Sequence, residues 1–212
     1  MSAPSSLSDA YPACRIVLSL IVGVVFFAGS QMLSETASSS TFDTVLVSPG
    51  PSPEIPRRAA AVYDWLVGDW EADVYDYGEG RVRTSKGEWH FSWVLEGRAI
   101  QDVWIVPKRL GRNGSGTGDG NRYGTTLRIY DPKIDAWRVF WFNPVTQDRS
   151  ELIAKRIGNT IVQESATGNS LTRWIFADIK PDSFIWRGQF STDGGKTWQL
   201  DSEFHVRRVT HK

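Results

Sequence analysis

The stretch "LVGDWEADV", residues 66–74, is where one periodicity gives way to another. Just before it, "RRAAAVYDWL", residues 57–66, reads as a short helix that starts after Pro56 and stops ahead of Gly68. From Asp69 onward the 3.6-residue period is lost and runs of alternation take over, the signature of strands. Strands are predicted over 69–77, 81–94, 97–106, 122–130, 136–142, 148–156, 159–166, 170–179, 183–191 and 197–208. The breaks between them carry turn chemistry in "YGEG", "DPKIDA", "NPVTQ", "TGN" and "TDGG". Val, Ile, Trp, Tyr, Phe and Thr dominate the runs, as suits pleated, half-buried surfaces.

Ten strands joined by short turns form an antiparallel meander. An open sheet that wide leaves two reactive edges and tends to curl, whereas closure into a barrel removes the edges. The expected fold is therefore all-β, a ten-stranded antiparallel up-and-down β-barrel with a short N-terminal helix. A propeller would need blades of four strands that repeat in sequence, and no repeat occurs at blade spacing.

One turn stands out. "STDGGKTW", residues 191–198, resembles the Asp-box, a hairpin motif repeated in sialidases and related β-propellers. A single copy predicts a hairpin and no sialidase. The Asp193 carboxylate is expected to cap backbone N–H groups of its own turn, Gly194 and Gly195 to take positive φ, and Trp198 to pin the last strand.

Gly68-Asp69-Trp70 matches the Gly-x-Trp signature of lipocalins and the wider calycin superfamily. In that family the Trp closes the barrel floor and an Arg of the last strand packs across it. The resemblance implies that part for Gly68, Trp70 and Arg208, or its neighbour Arg207. The order "GRAIQDVW", "YGTTLRIYDP" and "SxDGGKTW" also resembles a bacterial family of lipocalin-like barrels that are often exported. The likeness spans about residues 57–209. The Gly-x-Trp-x-Gly-x-Gly pattern of haem-binding nitrobindin-like barrels is absent, since Glu71 to Val74 follow Trp70.

The N-terminal part is different material. Residues 16–29, "IVLSLIVGVVFFAG", carry no charge and follow Arg15. The run is short against the roughly 20 apolar residues of a membrane span and fits a signal-peptide core, with an uncleaved anchor as the alternative. Residues 1–33 are thus read as signal peptide or anchor, and 34–56, rich in Ser and Pro, as a disordered linker ahead of a barrel domain at 57–209. Either reading puts the barrel outside the cytoplasm. If Met32 is the true start, the protein is cytoplasmic.

The chain has 212 residues, zero formal net charge and one cysteine, Cys14. Neutrality gives no electrostatic reason to expect nucleic acid. A lone cysteine excludes an intrachain disulfide and a Cys-based metal site. Ten Trp, ten Phe and six Tyr supply ample apolar area for a core. No cofactor or metal is expected.

In "GRAIQDVW", residues 97–104, Arg98, Asp102 and Trp104 fall on one side of a strand. Facing the lumen, they would offer a charged anchor inside an aromatic cavity. Facing out, they are a surface ion pair. Arg173 presents the same choice on the Leu171–Ile175 face. "WRVFWFNP", residues 137–144, reads as a strand buried on both faces; the alternative is a wall for a flat hydrophobic ligand, with Trp141 as the candidate. Glycine-rich 111–121 lacks the ending of a phosphate loop and is expected to form a mobile loop over one barrel end. His90, His205 and His211 read as solvated. The sharper alternative is a Glu203–His205 acid–base pair inside the barrel.

The expected function is binding of a small hydrophobic or amphipathic molecule in the lumen, outside the cytoplasm, with Arg98, Asp102, Trp104, Arg173 and Trp141 at the site. An isomerase- or cyclase-like enzyme in the same barrel, using Glu203 and His205, is one alternative. A structural domain with a filled core is the other.

Overall fold

The computed structural model describes residues 41–110 and 122–210. The expected signal or anchor segment, the glycine-rich 111–121 and His211 lie outside the described residues. Ahead of the barrel come α1 (Thr41–Leu46), β1 (Val47–Ser48) and α2 (Arg57–Tyr63), which runs into a 3-10 turn at Asp64–Leu66. The barrel strands are β2 (Gly68–Gly78), β3 (Arg81–Val94), β4 (Ala99–Val106), β5 (Arg122–Asp131) and β6 (Ala136–Phe142). They continue as β7 (Arg149–Ile157), β8 (Thr160–Thr167), β9 (Ser170–Ala177), β10 (Ser183–Ser191) and β11 (Gln199–Arg208).

Each strand from β2 to β11 pairs antiparallel with the next, and β11 pairs with β2, from Ser202 opposite Asp76 to Arg208 opposite Trp70. The result is a closed ten-stranded up-and-down barrel of the lipocalin-like kind. Closure satisfies the backbone groups that an open sheet would expose at its edges. Alternation along each strand sends one residue in two to the interior: Trp70, Ala72 and Val74 from β2, and Trp89, Phe91 and Trp93 from β3, are all buried.

One end of the barrel is plugged. Tyr63 and Leu66, from α2 and the 3-10 turn, are wholly buried there. Trp70 Nε1 donates to the Leu66 carbonyl at 2.7 Å, and Trp137 Nε1 donates to the Ala59 carbonyl at 3.2 Å. Phe184 meets Trp65 and Trp70 edge to face, at 5.3 and 4.9 Å. Each such side chain contributes about 1.5–3 kcal/mol by burial. Arg208 seals this floor. Its guanidinium lies 4.0 Å from the Trp70 ring centre and donates to the carbonyls of Val67 at 2.8 Å and Trp65 at 2.6 Å. Gly68 adopts φ +121°, and a Cβ there would sit 2.8 Å from Arg208 Nη1, so only glycine lets the guanidinium in.

Two expectations need correction. The segment read as a disordered linker is tied to the barrel over its later part. β1 takes the edge of β3 beyond Gly68, with Val47 opposite Val94, Ser52 N donates to the Gly97 carbonyl at 2.9 Å, and Ile55 is buried. Proline-rich chain is extended, and extended chain can still pair along a strand edge. The run at 137–144 is not buried on both faces. Trp137 and Val139 point in and are buried, whereas Phe142 is exposed. Its aromatic content thus reflects one inner wall and one half-covered outer face.

Candidate functional site, a tryptophan-lined lumen

The half of the lumen away from the plug is not filled. A cavity of about 270 Å³ opens there, walled by the indoles of Trp89, Trp104, Trp141, Trp174 and Trp186 with Phe204. Three of these rings, from β4, β11 and β10, form a nearly parallel series: Trp104 on Phe204 at 4.7 Å and 18°, and Trp186 on Phe204 at 4.4 Å and 17°. Trp141 and Trp174 meet edge to face at 6.2 Å. Aromatic side chains held in such contacts gain about 0.5–1.5 kcal/mol per pair beyond burial, which stiffens the wall.

Glycines make the wall possible. The Trp141 ring lies over Gly124 of the neighbouring strand, so that a Cβ on Gly124 would fall 1.9 Å from the indole. The Trp104 ring lies over Gly87 in the same way, at 2.7 Å. Each indole therefore lies back against the sheet, and space is left in the middle.

The inner end of the cavity is charged. Arg128 on β5 and Asp102 on β4 are joined at 2.6 Å, and their side chains are 1% and 0% exposed. Asp102 Oδ1 also accepts the Thr126 backbone N–H at 3.2 Å. The Arg128 guanidinium lies 5.2 Å from the Tyr63 ring centre, 5.6 Å from Phe91 and 5.9 Å from Phe176, an aromatic surround that favours a cation. Burial pushes the Tyr63 phenol well above its ordinary range despite the Arg128 charge beside it, and its hydroxyl donates to Gln163 Oε1 at 3.0 Å. Three buried donors here, Arg128 Nε, Trp89 Nε1 and Gln163 Nε2, have no acceptor among the described residues; of these, Arg128 and Trp89 line the cavity.

At the outer end, Arg122 bridges to Asp76 across the barrel by two bonds of 2.8 and 2.9 Å, and Ser202 Oγ donates to the same carboxylate at 3.1 Å. Asn143, Asp148 and Asp201 complete the mouth. Asn143 is held by its own turn, its Oδ1 accepting from Val145 N at 2.9 Å and Thr146 N at 3.2 Å.

No family model and no curated protein matches this chain. Among solved structures it is similar to the S-type phycobiliprotein lyase CPES from Guillardia theta, with 12% identity, a TM-score of 0.45, and coverage of 72% of this chain and 93% of that one.

The residues singled out from the sequence divide between inside and outside. Trp104 and Trp141 line the cavity, and Asp102 points into the interior, bonded to the cavity-lining Arg128. Arg98 does neither. It sits in the tight turn ahead of β4, where Leu95, Glu96 and Gly97 all have positive φ, and pairs with Glu54 at 3.1 Å and Glu96 at 2.5 Å on the surface. The alternation of β4 starts at Ala99, so counting back by two from Asp102 past Ile100 misplaces Arg98. Arg173 is also outside: Trp174 and Phe176 take the inward positions of β9, and Arg173 pairs with Glu164 at 2.5 Å and covers the Trp198 ring at 3.6 Å. Glu203 and His205 face outward as well, because Ser202, Phe204 and Val206 point in. His205 Nε2 lies 2.7 Å from Glu203 Oε1, and Arg187 Nε donates to Oε2 at 2.7 Å. Partial burial raises the Glu203 carboxyl, but the bonds from His205 and Arg187 outweigh it and hold the group below its ordinary value. With Arg187 the pair forms a cluster on the outer wall and not a lumen acid–base device. His90 is on the outer face too, its Nδ1 2.6 Å from Asp69 Oδ1.

Asp193 organises the β10–β11 hairpin. Its carboxylate accepts from Lys196 N at 3.0 Å, Thr197 N at 2.9 Å and Thr197 Oγ1 at 2.7 Å. These bonds, with Thr197 foremost, hold its pKa down to about 2. The hairpin is built for shape and lies outside the lumen cavity.

Sequence reasoning missed Arg128, Arg122, Trp89, Trp174, Trp186 and Phe204. In "YGTTLRIYD" the apolar residues Leu127 and Ile129 mimic an inner face, but Ile129 is 37% exposed while Gly124, Thr126 and Arg128 point in. The available signal was the pair of opposite charges, Asp102 and Arg128, on consecutive strands. Among the described residues no group of three or more His, Cys, Asp or Glu is placed to hold a metal ion, and no helix is long and apolar enough to cross a membrane.

Proposed function

We propose that this chain binds a small hydrophobic or amphipathic molecule in the barrel lumen, outside the cytoplasm. The observation that carries the reading is the cavity of about 270 Å³ bounded by five indoles and ending on the buried Arg128–Asp102 pair. Ligand sites of this type are mostly apolar with a few placed polar groups that fix orientation. A barrel built only to be stable would fill this space, since voids forfeit packing energy. Indoles propped open by Gly87 and Gly124 argue for a space that is kept. The uncharged run at 16–29 supports export. An enzyme relying on Glu203 and His205 loses its geometric ground, because both lie on the outer wall.

The test is native mass spectrometry of the full chain purified from its natural host, followed by denaturing extraction. A discrete apolar molecule released in about one-to-one amount supports the reading. A chain that carries nothing and binds no member of a panel of small aromatic compounds, at millimolar concentration by calorimetry, refutes it. Fractionation of the host into cytoplasm, membrane and external fluid tests the location.

A further inference from the structure

The lumen also carries information about which molecule it takes, and the inference rests on the lumen-binding reading above. Three observations bear on it. The space is modest, about 270 Å³ and open at its mouth, which suits a small ring system. Its lining is aromatic: the Trp104–Phe204–Trp186 series together with Trp89, Trp141 and Trp174. A planar aromatic body fits such walls by stacking.

The third observation is the balance of donors and charges. Both cations that line the cavity already have carboxylate partners, Arg128 with Asp102 and Arg122 with Asp76. Asp148 and Asp201 add two further carboxylates at the mouth. An anionic ligand would meet more negative than positive charge and would have to compete for guanidiniums that are taken. Yet the inner end is short of acceptors: of the three buried N–H donors without one, Arg128 Nε, Trp89 Nε1 and Gln163 Nε2, the first two belong to residues that line the cavity. Buried donors gain from an acceptor far more than exposed ones, because no water competes. An uncharged oxygen satisfies them without adding charge next to Asp102. The Arg128 and Trp89 nitrogens are almost wholly covered, so serving them requires a small shift of the side chains over them.

We infer that the lumen selects a flat, uncharged aromatic molecule bearing a carbonyl-type oxygen, which points inward to Arg128 and Trp89, and that it rejects the corresponding carboxylate. Cationic aromatic ligands are the competing class, since acidic groups and indoles both favour them, but they leave the inner donors unserved.

Isothermal titration calorimetry on the full chain with four probes that share one ring system decides the matter: indole, indole-3-carbaldehyde, indole-3-carboxylate and 3-(aminomethyl)indole. The aldehyde is expected to bind tightest, at least about tenfold better than indole, since one of the donors it meets is the Arg128 cation. The carboxylate is expected to bind at least about tenfold more weakly than the aldehyde, from like-charge repulsion and desolvation. Trp89→Phe keeps a ring but removes the N–H, and is expected to shrink the aldehyde-over-indole ratio while all probes still bind. Arg128→Lys is expected to shrink it further; if that variant does not fold, Trp89→Phe still reads the effect. A carboxylate or amine that binds tightest overturns the assignment and leaves lumen binding intact. So does an aldehyde no better than indole. Failure of all four to bind overturns the assignment and counts against lumen binding as well.

Discussion

Gly124 lies directly beneath the Trp141 indole, closer than any side chain would permit, with a would-be Cβ 1.9 Å from the ring. The relation makes a backbone hydrogen atom on β5 the determinant of where an aromatic wall on β6 stands. Gly124→Ala must push that indole towards the centre of the lumen or bend the strand. We expect a stability loss of about 1–3 kcal/mol, the usual cost of overpacking, and a loss of lumen binding that exceeds what destabilisation alone explains. Thermal melts alongside calorimetry at a temperature where the variant is fully folded separate the two effects. Unchanged ligand affinity in a folded variant would show that Trp141 does not border the binding space.

The Arg128–Asp102 pair is fully buried, so each partner depends on the other. Arg128→Met is expected to cost about 3–5 kcal/mol by leaving the Asp102 carboxylate buried without a cation, and Asp102→Leu a similar amount. The double variant is expected to recover much of that loss, since apolar replacements of both partners remove the stranded charge. Urea unfolding of the four proteins measures the coupling. Strict additivity of the two single losses would contradict the pairing.

Asp193 gives the fold an acid-sensitive hairpin. Its folded pKa of about 2 lies below its ordinary value, so its contribution to stability is fully present above about pH 4. That contribution fades as the pH falls through the folded value, when the protonated carboxyl gives up the bonds from Lys196 and Thr197. Asp193→Asn should therefore lower stability at neutral pH and narrow its gap to the parent protein between pH 4 and pH 2. Parallel melts across that range check it; a constant gap would place the effect elsewhere. Asp73 and Glu88 are also held below their ordinary values, which is why the difference between two proteins is the quantity to follow.

Glu203 and His205 are tied to Arg187 on the outer wall. Glu203→Gln and His205→Ala are expected to leave lumen binding within about twofold of the parent, while exposed ion-pair loss costs at most about 1 kcal/mol. A large change in ligand affinity with either variant would put these groups back in contention for the site.

Arg208 reaches three backbone carbonyls, those of Pro181, Val67 and Trp65, while covering Trp70. Lysine cannot spread donors over that geometry, so Arg208→Lys is expected to cost about 1–3 kcal/mol and to loosen the floor. Hydrogen exchange at residues 63–70 reads the loosening directly.

The fold was legible because the strands and their turns announce themselves locally. The switch from helical to alternating pattern at Gly68 marks where β2 begins, and Gly-, Pro-, Asn- and Asp-bearing turns such as "YGEG", "DPKIDA", "NPVTQ", "TGN" and "TDGG" punctuate the later strands. The floor was legible through Gly68, Trp70 and Arg208, which are separated by most of the barrel but carry distinctive chemistry. The lumen was only half legible. Asp102, Trp104 and Trp141 could be picked out, yet Arg128 could not, because inside and outside are decided by register and not by polarity. On β5 the sheet buries an arginine and exposes an isoleucine, and only the neighbours Asp102, Tyr63 and Phe91 make that arrangement favourable. Arg98 went astray for a related reason: the left-handed turn at 95–97 breaks the alternation that would have carried it inward.

The seam between β2 and β11 has a bearing on how the molecule is made. Arg208 and Val67, which bond across it, are 141 positions apart in the chain. β11 is synthesised after all the other barrel strands, so β2, with β3 on one side, waits for nearly the whole barrel before its other edge is paired. Until then Trp70 and the other indoles have no sealed interior to occupy. Non-local pairing of this kind slows folding and leaves sticky surface on view. A chain so rich in tryptophan is thus most vulnerable to aggregation during its own synthesis, and loss of even its final strand would leave every earlier one without a closed home.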